Sequence, residues 1–254
     1  VTLLAVERMK LVSTRSPWWC AALALLLTTG FAALMAATAV PEVPLTVAST
    51  QFGYRFGMTV VMVMAALAVT TEYRFGTIRA SFLGSPGRTG TLVAKAAVVA
   101  VVALVLGELA GFGSWGIAKL VDPGADLALQ TAYEWRAVAG VGLVYAAAAV
   151  LAVGVGAIVR HTAGAVSVLL IWSFLVEGLV QLVPRVGDDV FRWLPFNVAD
   201  KFITGDPDPS ARDVVYGPPP ADAVLGPWPA LAYFAGIAAV VLAAAVVAVN
   251  RRDA

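Results

Sequence analysis

The chain has 254 residues, 60% of them hydrophobic and 13% charged, with a formal net charge of +1 and a mean hydropathy of +0.86. So apolar a composition excludes an ordinary water-facing globular surface. A charge so close to balance, without a basic stripe interleaved with aromatics, argues against a nucleic-acid partner. One cysteine, Cys20, and one histidine, His161, exclude intramolecular disulfides and zinc sites built from several Cys/His ligands.

The apolar residues gather into six long runs: Trp18–Thr38, Gly53–Thr71, Leu92–Ile117, Ala137–Val159, Ala163–Val183 and Ala230–Val249. About 20 apolar residues suffice for a helix to cross a hydrocarbon core roughly 30 Å thick. The runs are continuous and do not alternate in and out, which favours helices over a β-barrel. All 14 prolines lie outside them, as lipid cannot replace a backbone donor that an interior proline removes. The expected fold is therefore all-α, one six-span transmembrane domain over residues 1–254.

Residues 1–16 read as an interfacial helix, with Ala5, Met9 and Val12 on one face and Glu7, Lys10 and Thr14 on another. Ser16–Pro17 is expected to break it before Trp18 and Trp19, which suit the headgroup boundary. The first span is too long for the apolar core of a cleavable leader and reads as a retained helix. Between spans two and three, residues 72–91 form a polar segment with a short helix expected at Thr77–Leu83. Spans four and five are joined only by Arg160, His161 and Thr162, a tight hairpin. The segment 184–229 holds nine prolines; Val190–Phe202 suits short helices at the outer interface, and Gly205–Pro229 an exposed loop.

Lysine and arginine set the expected orientation. With the N-terminus inside, the inner segments hold Arg8, Lys10, Arg15, Arg74, Arg79, Arg88, Lys95, Arg160, Arg251 and Arg252. The outer ones hold Arg55, Lys119, Arg136, Arg185, Arg192, Lys201 and Arg212. Both termini are thus expected in the cytoplasm, and the Ala- and Val-rich composition suits the inner membrane of a high-GC bacterium.

Inside the spans, Glu108 and Glu177 are the acids that hydrocarbon would penalise unless paired or wet. Arg55, at comparable depth, is a candidate partner for either. Two kinds of role suit these three residues: a structural ion pair or inter-subunit contact, or a solvated cavity or substrate path. Gly107 and Gly111 form a GxxxG in span three, and Gly140, Gly154 and Gly156 punctuate span four; small residues there serve close helix packing. His161 suits a solvated or capping role in its turn, or a proton switch. Gly84–Thr91 lacks the Gly-Lys-Ser/Thr ending of a phosphate loop and follows no strand. Neither a nucleophile elbow nor a metal-ligand spacing supports enzyme chemistry on this chain.

The order of short motifs then points to a family. Thr71-Glu-Tyr-Arg-Phe-Gly-Thr-Ile-Arg79, followed by Pro86, Arg88 and Lys95, resembles the membrane subunit of type-2 ATP-binding-cassette (ABC) exporters: a Glu, Gly-Thr-apolar, Pro-x-Arg and a Lys at the start of the third span. Glu7-Arg-Met-Lys-Leu-Val-Ser13 is similar to that family's amphipathic elbow segment. The resemblance implies that Glu72–Leu83 is a coupling helix seated on an ATPase, carrying Glu72, Arg74, Gly76, Thr77, Ile78, Arg79 and Phe82, with Arg88 beyond it. Arg160 and His161 would form a second contact, and Trp193–Phe202 external re-entrant helices.

It further implies a separate ATPase chain that binds ATP and Mg, no cofactor on this chain, and a second permease chain as homodimer or heterodimer. Sparse intramembrane charge suits an amphipathic or hydrophobic cargo such as a drug, lipid or peptide. Physically, Arg74, Arg79 and Arg88 can pair with acidic groups of a partner, or they can fix topology and bind anionic membrane lipids. Two other functional classes stay open: a non-transporting anchor or sensor for an ABC ATPase, and an ion-driven carrier or intramembrane enzyme using Glu108 and Glu177.

Overall fold

A computed structural model describes residues 3–40, 44–78, 87–207 and 219–252, and among these the chain is all-α. Helix α1 (Leu3–Ser13) ends at Thr14, whose extended backbone turns the chain into α2 (Arg15–Ala37). The break thus falls before Ser16–Pro17, where the sequence pattern put it. Pro17 instead occupies the first turn of α2, where a missing N–H has no carbonyl partner to lose. A 3₁₀ turn at Ala48–Gln51 leads into α3 (Tyr54–Arg74).

Helix α4 (Arg88–Val121) has 34 residues and is about 51 Å long at 1.5 Å per residue. It overruns the expected span Leu92–Ile117 at both ends. The expected fourth span, Ala137–Val159, divides into α5 (Ala132–Ala139) and α6 (Val141–Val159). Helix α5 is set by a capping box in which Thr131 accepts from the Glu134 amide and Glu134 accepts from the Thr131 amide. Gly140 marks the division, and a Cβ there would lie 2.7 Å from the Phe202 ring.

Helix α7 (Thr162–Gln181) follows the Arg160–His161 turn; it widens into a π-helical turn at Trp172–Val176. Two short helices come next, α8 (Gly187–Phe191) and α9 (Pro195–Thr204), and α10 (Pro227–Arg252) closes the bundle. Part of the expected exposed loop, residues 208–218, lies outside the described residues.

Six helical stretches among the described residues are long and apolar enough to cross a membrane: α2, residues 48–74 with α3, α4, α6, α7 and α10. The protein is a multi-pass helical membrane protein. Antiparallel succession puts Arg15, Arg74, Arg88, Arg160 and Arg251 at one end of the bundle, here the basic end, and Tyr54, Val121 and Pro227 at the other, the acidic end. Helix α6 is the hub: 72% of its apolar window is buried, against 22% for α2, α7 and α10, and α3, α4 and α10 surround it. The three poorly buried helices present Leu23, Leu26, Phe174, Leu175 and Val240 outward, which is what lipid solvates and water does not.

The glycines explain how α4 approaches α5 and α6 closely. A Cβ on Gly107 would lie 2.6 Å from Gly142 Cα, and one on Gly111 would collide with the Val138 carbonyl. Gly154 serves the same purpose against α10, where a Cβ would meet Val241 Cγ1 at 2.9 Å. In lipid, where apolar burial itself supplies little drive, such backbone approach and the packing it permits bring helices together. Replacing Gly111 by valine is expected to destabilise the bundle by about 1–3 kcal/mol, the usual cost of overpacking. Gly178→Val, at a site with open space around it, is the control; thermal unfolding in detergent should separate the two.

Candidate functional site

Two buried polar clusters stand out, one at each end of the bundle. At the basic end, Lys95 enters the interior on the second turn of α4, where its side chain is 5% exposed. Its ammonium binds Glu7 of α1 and, at 2.8 Å, Glu72 near the end of α3. Lys10 completes the set, 2.7 Å from Glu7 and 3.2 Å from Glu72. Two carboxylates and two ammonium groups thus interlock, which satisfies the rule that charge leaves water only when paired. Burial acts to lower the Lys10 pKa, but its bond to Glu7 and the Glu72 charge outweigh it, so Lys10 stays protonated above its ordinary range.

The amphipathic reading of α1 is sharpened here. Leu4, Met9 and Val12 are exposed while Glu7 and Leu11 are buried, so the inward face is the one carrying the acid. Leu4, Met9 and Val12 face outward, as an interfacial helix directs apolar side chains into lipid.

Just beyond Glu72 the chain leaves α3. Phe75 N–H closes the helix onto Thr71, and Gly76 takes a left-handed backbone with φ of 70°, a conformation that costs a side-chain-bearing residue energy. Thr77 and Ile78 begin a new helical turn. Arg74, Phe75, Gly76 and Thr77 are exposed, Phe75 to 72%, and Ile78 and Arg88 are half-buried. Arg79 and Phe82 lie outside the described residues. Arg160, in the left-handed region, folds back with its guanidinium 5.1 Å above the Tyr73 ring and 3.5 Å from the Ala248 carbonyl. His161 caps α7, its Nδ1 accepting from the Gly164 amide at 3.1 Å.

At the acidic end the intramembrane acids part company. Arg55 was a candidate partner for Glu108 or Glu177, yet its ion pair is with Asp200 of α9, at 3.1 Å. It also donates to the Ser173 carbonyl in the π turn at 3.2 Å. Tyr54 hydroxyl donates to the same Asp200. Burial raises the Asp200 pKa against the pull of Arg55 and Tyr54. Tyr145 of α6 donates to the Tyr54 carbonyl at 2.7 Å and lies 3.4 Å from the Thr28 hydroxyl of α2. This chain of polar contacts links five helices, α2, α3, α6, α7 and α9.

Glu177 has a different task. Its two oxygens accept the amide protons of Phe196 and Asn197, at 2.9 and 2.8 Å. These are the open N–H groups at the start of α9, where Pro195 at the first position has none to offer. The carboxylate therefore caps α9 from the neighbouring end of α7, where the helix dipole favours negative charge. Glu108 stands apart, half-buried over Gly142, forming no hydrogen bond or ion pair with a described residue.

Sequence reasoning missed Asp200, Tyr54 and the buried cluster in which Glu7 and Glu72 pair with Lys10 and Lys95. Tyr54 and Asp200 are 146 positions apart, so no spacing could have joined them. Only the amphipathic pattern of 195–204 hinted that Asp200 shares a helix with a buried face. Neither the protein-family models nor the curated proteins compared with this chain match it.

Two outcomes follow from these clusters. Lys95→Met leaves Glu7 and Glu72 to share the single ammonium of Lys10, one buried charge short, and should cost about 3–5 kcal/mol, releasing α1; tryptic cleavage after Arg8 and Lys10 should accelerate. Glu177→Gln keeps one acceptor but loses the second bond and the charge, a loss of about 0.5–2 kcal/mol typical of a helix cap. Its readout is faster proteolysis between 205 and 226 at unchanged expression.

Proposed function

We propose that this chain is the permease subunit of an ATP-driven ABC exporter. In this reading it moves an amphipathic or hydrophobic substrate across a bacterial plasma membrane, with both termini in the cytoplasm. ATP and Mg are handled by a separate ATPase, and a second permease chain completes the pathway. The observation that carries the reading is the meeting of Glu7, Glu72 and Lys95 in one buried ion cluster. Glu72 and Lys95 belong to the first of the two motifs on which the resemblance rests and Glu7 to the second, and their convergence gives them a common physical purpose.

The coupling helix, expected over Glu72–Leu83, would begin only at Gly76, because Glu72–Arg74 form the last turn of α3. It adjoins the cluster, so a push on it reaches α1, α3 and α4 together through short ionic contacts rather than through a flexible loop. Exposed Arg74 and Phe75 supply a cation and an aromatic ring for a partner surface. Arg160 and His161 are partly engaged within the chain, which makes their turn the smaller contact. Glu177, occupied as a helix cap, offers little to an ion-driven carrier.

Affinity purification of the intact chain from its native membrane should bring down an ABC ATPase. Gly76→Val strains the left-handed turn, and Arg79→Glu reverses a coupling charge. Each should weaken the association roughly tenfold or more, the size of one lost interfacial ion pair. Undiminished association with both variants would count decisively against this function.

A further inference from the structure

Beneath the α1–α2 elbow, between it and the adjoining parts of α3 and α4, lies a cavity of about 680 Å³, within the range of roughly 300–1,000 Å³ usual for small-ligand sites. Its lining changes character with depth. Glu72 and Lys95 lie towards the basic end, while Met64 and Leu67 on α3 and Val98 and Val99 on α4 line it one to two helical turns deeper. The space is thus polar near the end of the bundle and apolar inside, the profile of an amphiphile rather than of a solute.

The charges on its wall define the polar part. Glu7 and Glu72 are neutralised by Lys10 and Lys95, which leaves Arg15 as a third cation without an acid to match. The Arg15 side chain is exposed and pairs with no described residue. One turn further along α2, Trp18 and Trp19 are 61% and 75% exposed. Indole rings so displayed mark the headgroup level of a bilayer, and Arg15 therefore stands at the depth of lipid phosphates.

We propose that this cavity binds an anionic membrane lipid, its phosphate on Arg15 and an alkyl chain along Met64, Leu67, Val98 and Val99. The phosphate chemistry is shared with soluble phosphate esters, but the apolar depth selects the lipid. The site does not depend on ATP-driven transport and stands or falls separately from it.

The test uses the full chain, purified in a neutral detergent and stripped of lipid. It is titrated with short-chain phosphatidylglycerol, phosphatidylcholine of the same chain length and glycerol phosphate, with bound molecules counted by native mass spectrometry. Phosphatidylglycerol should bind saturably and about fivefold more tightly than phosphatidylcholine, the contribution of one interfacial cation. Arg15→Gln, at an exposed unpaired position that leaves the fold intact, should erase that preference. Ala68→Phe and, independently, Val98→Phe fill the cavity and should abolish binding of both lipids, whereas Val93→Phe on the outer face of α4 should change nothing. Equal binding of the two lipids to the native chain overturns the proposal, as does a preference that survives Arg15→Gln. Glycerol phosphate binding as tightly as phosphatidylglycerol would replace the lipid by a soluble ester and overturn it equally.

Discussion

A charge inside a low-dielectric bundle must meet an opposite charge, and Lys95 is where this constraint shapes the molecule. Its ammonium, almost wholly buried on α4, recruits Glu72 from α3 and Glu7 from α1. An interfacial helix that would otherwise float on the bilayer surface is thereby fixed to the spans, with its acidic face inward. Lys10 then balances the second carboxylate. The placing of α1, the elbow at Thr14 and the cavity beneath it all follow from that pairing.

The same constraint operates at the opposite end with other chemistry. There the element to be held is α9, a short helix whose first amides would be stranded in a dry environment. Glu177 accepts two of them, and Asp200 on the same helix pairs with Arg55 and Tyr54. Arg55 also reaches the Ser173 carbonyl in the π turn of α7, where widened backbone geometry exposes acceptors that a regular helix would keep. Charge that first suggests a conduction path is thus largely spent on architecture.

One helix touches both clusters. Helix α3 starts at Tyr54 and Arg55 and ends just past Glu72, and at 1.5 Å per residue these anchor points are about 27 Å apart. It lies against the hub helix α6, with Gly156 admitting Ala66 closely. Under the proposed exporter reading, a rigid rod tied by ion pairs at both ends is a suitable element to relate a motor on one side to a short re-entrant helix on the other. The glycine seam between α4 and α6 gives that rod a stiff neighbour rather than a yielding one.

Hydropathy and proline placement by themselves determined the number and order of the spanning helices, because lipid tolerates few alternatives to continuous apolar helix. The spacing of small residues marked the glycine contacts, and the aromatic run at 190–202 the short helices between the fifth and sixth spans. The sequence could mark Glu108, Glu177 and Arg55 as costly residues, yet it could not pair them, and the partner it offered Arg55 was not the one found. Asp200 lies 145 positions from Arg55, and Lys95 lies 88 from Glu7; helical periodicity reports only neighbours within a few turns. Which buried charges meet was decided by how the helices pack, since a side chain chooses its counter-ion by distance in space, and only the tertiary arrangement sets that distance.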